Sequence, residues 1–109
     1  MANVYTNAKK NLTNTSATTI YTTPALTTSI IKSIIVSEDS GNADTITVTI
    51  TDAESSPVTF SLFKTKSISA NGTTELLTAP FVMKTAEILK VTAATANRLH
   101  VVASILEVS

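Results

Sequence analysis

The chain has 109 residues, 43% hydrophobic and 15% charged, with eight basic and eight acidic side chains. That length fits one domain with one core, and folding should bury roughly 65% of the surface an unfolded chain exposes. Zero net charge excludes a global field drawing the protein to nucleic acid or an anionic membrane, and the lack of cysteine excludes disulfides, thiolate zinc sites and a thiol nucleophile.

Hydroxyls dominate what is left: 21 threonines and 12 serines. Threonine is β-branched, which suits a pleated, half-buried surface and costs entropy in a helix, so the composition leans to strands. Residues 1–16 read as a polar N-terminal arm with one short strand, in which Val4, Tyr5 and Leu12 are the only large apolar groups. The start has no basic and then apolar leader, and no segment approaches the roughly eighteen apolar residues of a membrane span, so neither export by a signal nor a membrane partner is expected.

The folded domain is expected over 17–109. Ala17 to Thr22, with Ile20 and Tyr21, is β-branched and aromatic and stops at Pro24, which cannot donate to a ladder. Thr27 to Val36 follows, reading as a central strand with Ile30, Ile34 and Val36 on one face and Ile31 and Ile35 on the other. A polar loop around Gly41 leads into Thr45-Ile46-Thr47-Val48-Thr49-Ile50-Thr51, where apolar and Thr positions alternate with the period of a strand wet on one face. Val58 to Leu62 resumes that alternation, predicting an antiparallel hairpin over 44–64. Asn71-Gly72 marks another reversal, and the three phenylalanines are assigned to the core. Ala86 to Leu106 could be drawn as a helix, but its β-branched residues and the break at Ala94 to Asn97 favour two strands, about 86–93 and 98–108. Seven to eight strands with turns at about ten-residue intervals predict an all-β antiparallel sandwich or small barrel of Greek-key or jelly-roll type.

Little in the side chains supports chemistry. A hydroxyl nucleophile needs an oriented base, and His100, the only histidine, reads as a strand residue facing away from Leu99 and Val101. Five of the eight acids, Glu38, Asp39, Asp44, Asp52 and Glu54, fall close together. Carboxylates near Gly41 could hold calcium, yet the spacing is not that of an EF-hand, and Asp, Asn and Gly are also what a solvated turn uses. Two glycines cannot build a phosphate cradle, and without tryptophan an aromatic platform for sugars is weak. Three N-glycosylation sequons, at Asn11, Asn14 and Asn71, match chance in so Thr-rich a chain. No catalytic, metal or cofactor site is expected. Strands apolar on both faces, Thr27 to Val36 and Leu99 to Val108, leave two readings open: contact with another subunit, or cover by a loop.

The Asn/Thr/Ala lead-in, Ile20-Tyr21-Thr22-Thr23-Pro24-Ala25, Ile30-Ile31-Lys32-Ser33-Ile34-Ile35-Val36-Ser37, Thr47 to Asp52, Ser69 to Leu77 and Ala96 to Glu107 together resemble the small β-sandwich virion proteins of tailed bacteriophages. The similarity runs from about residue 11 to the end, and its motifs are structural. The resemblance implies a non-enzymatic particle component made in the host bacterial cytoplasm. The leading expectation is a capsid decoration or cement protein, a homotrimer bound to the major capsid protein or another virion protein, with Val4, Tyr5, Leu12, Ile20 and Tyr21 at the interface and the arm reaching a neighbour. A neck, tail or fibre part and a carbohydrate-binding host-attachment module are the alternatives.

Overall fold

The computed structural model describes residues 3–109, which form nine strands: β1 (Asn3–Asn11), β2 (Thr18–Thr22), β3 (Thr28–Glu38), β4 (Asp44–Thr51), β5 (Thr59–Ile68), β6 (Thr73–Glu75), β7 (Phe81–Met83), β8 (Ile88–Ala93) and β9 (Leu99–Val108). They build two antiparallel sheets packed face to face. Sheet A runs β1-β9-β3-β6, with β7 also on β3, and sheet B runs β2-β8-β4-β5.

The strands β6 and β7 pair with successive stretches of the same edge of β3, so together they act as one interrupted strand. Counted that way, eight strands pair first with last, second with seventh, third with sixth and fourth with fifth. This is an antiparallel ribbon rolled up on itself, a jelly roll, and it resolves the two topologies that strand spacing left open.

The clearest alternation in the sequence behaves as its period requires. Along β4, Ile46 and Val48 are fully buried while Thr45, Thr47, Thr49 and Thr51 face outward. β4 and β5 form the expected hairpin, which extends to Ile68. At its far end, Asn71 takes φ 54, Gly72 N donates to Ser69 O at 2.9 Å, and a Cβ on Gly72 would meet that oxygen at 3.0 Å. The two C-terminal strands form where β-branching placed them, as β8 and β9.

Three expectations are corrected. The lead-in is not a free arm: Asn3 to Asn11 pairs with β9 over nine successive positions, as an edge strand of sheet A. Alternation failed to reveal it because an edge strand exposes nearly every side chain, so no apolar period marks it. The faces of β3 also differ, since one extra residue, Lys32, lies between the partners of Ile105 and Ser104. That bulge reverses parity, so Ile31, Ile34 and Val36 point into the core and Ile30 and Ile35 point out. Finally, no phenylalanine is fully buried; Phe63 and Phe81 flank the core and Phe60 is 52% exposed. All three lie where β5 and β7 leave the sandwich open at one side.

Candidate functional site

The strand registers allow each outer face to be read row by row. On sheet A, Tyr5 of β1 stands opposite Leu106 of β9, which stands opposite Ile30 of β3, which stands opposite Val82 of β7. This is an apolar row four strands wide, with Tyr5 75% and Val82 57% exposed. A polar row, Asn7, Ser104 and Ser33, separates it from a second apolar pair, Val102 opposite Ile35, flanked by Lys9 and Glu75. Sheet B differs completely. Its rows are Thr19, Lys90, Thr49 and Ser61, then Thr22, Ile88, Thr51 and Thr59, with the Thr51 and Thr59 hydroxyls 2.9 Å apart. One outer face is striped with aliphatic groups and the other is carpeted with hydroxyls.

The residues expected at an interface separate into two groups. Val4, 49% exposed, and Tyr5 stand on the β1 edge, but Leu12 is 2% exposed and belongs to the core. Its backbone continues the ladder: Leu12 N donates to Leu99 O and Asn97 N donates to Leu12 O. Ile20, at a β2 bulge, and Tyr21 pack against the core from sheet B. The Tyr21 hydroxyl donates to Glu107 Oε2 at 2.5 Å and lies 2.6 Å from Ser29 Oγ, so it ties β2 of one sheet to β3 and β9 of the other. Burial, reinforced by the neighbouring Glu107 carboxylate, pushes this phenol up to about 12. Tyr21 is an internal clasp.

The acidic cluster is likewise put to internal use. Glu38 is buried, and its carboxylate accepts backbone N–H bonds from Ser40, Gly41, Asn42 and Asn71 and the Ser40 hydroxyl. Burial alone would raise this carboxyl, but those donors outweigh it and bring it down to about 2. It thereby joins the β3–β4 loop to the β5–β6 turn. Asp44 similarly accepts from the amides of Thr45 and Thr95. Glu75, held below the usual carboxylate range because bonds from the Ser33 hydroxyl and the Ile34 and Leu77 amides outweigh its desolvation, clips β6 to β3. Among the described residues no group of three His, Cys, Asp or Glu side chains is placed to share a metal ion.

His100 faces outward between buried Leu99 and Val101, with Nδ1 3.7 Å from Asp39 Oδ2; the imidazole is partly exposed and the carboxylate largely so. Ser37 is its cross-strand neighbour, yet among the described residues no hydroxyl hydrogen-bonds to the imidazole. The exposed groups that sequence reasoning missed are Leu26, Val58, Phe60, Leu62 and Val82. Leu26 alone carried a signal, a large aliphatic residue in a turn just after Pro24-Ala25, where polar or glycine residues are usual.

No family model matches this chain, and no curated protein matches it. Among solved structures, a chain in the structure of infectious bursal disease virus, Gt strain, matches with a TM-score of 0.55 at 9% identity. The match covers 98% of this chain and 30% of that one, so this chain spans under a third of the viral chain's length. At that identity the likeness is one of fold: the rolled β-sandwich has a counterpart in a virus structure.

Proposed function

We propose that this chain is a non-enzymatic structural component of a virus particle: a decoration, or cement, protein that binds the assembled head of a tailed phage as an oligomer. Its partners are further copies of itself, with a trimer the expected form, and the major capsid protein or another virion protein. The observation that carries this reading is the outer face of sheet A, where two bands of aliphatic and aromatic groups are left partly or largely exposed. Exposed apolar bands of this kind mark surfaces that meet other proteins. The jelly roll is an architecture that capsid proteins use, and the likeness to a virus structure agrees with it.

Mechanically, the fold suits the task. A weak patch repeated on a rigid oligomer and engaged at several symmetric positions binds through effective concentration, without any one contact being strong. The test is a copy number: purified virions should contain this chain in numbers comparable to the shell protein, and purified heads stripped of it should take it back. A small fixed number per virion would instead assign it to the neck, tail or fibre. A second reading, a carbohydrate-binding module for host attachment, is favoured by the hydroxyl rows of sheet B, since jelly rolls also serve as lectins. It requires saturable binding of host-surface glycans by the isolated protein, which a cement protein does not show.

A further inference from the structure

The β2–β3 turn holds Leu26 at φ 55 with 91% of its surface exposed. A left-handed backbone is costly for any side chain but glycine, asparagine or aspartate, and a leucine in water gains nothing from its position. The turn is nevertheless tightly built. Thr27 Oγ1 donates to Ala25 O at 2.9 Å, and Thr85 Oγ1 accepts from Thr27 N and donates to Thr27 O. Thr23 and the 86–87 backbone exchange two further bonds of 3.0 Å. Leu26 is therefore a rigid apolar knob held away from its own molecule.

Beside it the sandwich is open. Ile50, Phe60 and Leu62 of sheet B and Phe81 and Val82 of sheet A line a groove of about 500 Å³ at the side left uncovered between β5 and β7. Lys84 and Glu87, from the turn to which the Leu26 loop is bonded, stand on the rim together with Asp52. Both carboxylates accept backbone amides, while the Lys84 ammonium has no partner among the described residues.

We propose that this groove receives Leu26 of a second copy of the chain, with Lys84 of one copy meeting the acidic rim, Asp52 and Glu87, of the other. The inference deepens the reading of a self-assembling particle protein and rests on it. Three features favour a second copy as the occupant. The knob is aliphatic and the groove aromatic and aliphatic, the rim carries charges of both signs, and knob and groove adjoin at one end of the fold. Each copy then gives and receives at that end, so copies gather around a common axis. A preorganised knob also loses little conformational freedom on docking, which is the use of holding it in a strained turn.

The full-length protein and two variants, Leu26→Gly and Phe60→Ser, test this by sedimentation equilibrium. Leu26→Gly removes the knob and relaxes the backbone, so its Tm should hold or rise while self-association weakens by roughly 10- to 100-fold, the value of one buried leucine. Phe60→Ser should weaken association similarly from the groove side. Mixing the two variants should restore a one-to-one complex, because the intact knob of one meets the intact groove of the other. A wild-type chain that stays monomeric up to about 100 μM, association unchanged in either variant, or no mixed complex would overturn the inference. Such a failure leaves the particle reading standing, which the copy number in virions decides separately.

Discussion

Leu12 lies at the end of the lead-in, and its substitution by alanine distinguishes a core residue from an interface residue. The side chain is 2% exposed and packs within the cluster between the sheets. Leu12→Ala removes three carbons, about 2.4 kcal/mol of transfer free energy at about 0.8 kcal/mol per methylene. The backbone on both sides is pinned by the bonds to Leu99 and Asn97, so the void closes only in part and the total should reach about 3 kcal/mol. For a chain of 109 residues, with an unfolding entropy of about 0.23 kcal/mol/K, that lowers Tm by about 13 °C. Urea denaturation at several protein concentrations measures the cost, since loss from the core is independent of concentration whereas loss from an interface is not. A change under about 0.5 kcal/mol in the monomer, together with weaker assembly, would return Leu12 to the interface and refute the core assignment.

Tyr21→Phe keeps the packed ring but removes the hydroxyl joining Glu107 and Ser29, and should cost about 1–2 kcal/mol in chemical denaturation. Glu38 is held at about 2 against an ordinary 4.5, so its stabilisation is fully present above about pH 4.5 and is lost as pH falls through that window toward 2. Calorimetry across pH should therefore show Tm falling below about pH 4.5, and Glu38→Gln should lower Tm at pH 7 while flattening that acid limb. Deleting Lys32 removes the β3 bulge and leaves Ile31 and Ile34 two positions apart on the core face, in unbroken register with Ile105 and Ala103, so the deletion should stay folded by circular dichroism, whereas deleting Ile34 instead should not. Replacing Val102 and Ile35 together by Thr on the outer face of sheet A should change Tm little yet reduce the protein's occupancy on purified heads.

The legible parts of this fold share one property, that neighbours in sequence report on burial. Thr45 to Thr51 alternate because one face is wet along the whole strand, and Leu99 to Ile105 alternate for the same reason. Ile30 and Ile35 were recognisable as surplus apolar groups, but not as the outward ones, because a bulge is set by the partner strand and leaves no mark on local periodicity. The full length of the edge strand β1 and the exposure of β5's apolar side chains hid for a related cause, since an edge is defined by what is missing beside it. Tyr21 read as an interface residue and Glu38 as a loop acid because nothing near either in sequence marks its partners. Each meets its partners across long separations, Tyr21 with Glu107 and Glu38 with Asn71.

By itself the sequence determined that this is a β protein, roughly where its strands begin and end, and which side of the better-patterned strands is apolar. Those properties follow from β-branching, alternation and turn residues acting over a few positions. Only the tertiary structure decided that the ribbon rolls up with its first strand against its last, that one outer face is apolar and the other hydroxylated, and that Leu26 stands beside an open groove. These depend on which strands lie side by side, and that is settled by packing between residues far apart in the chain.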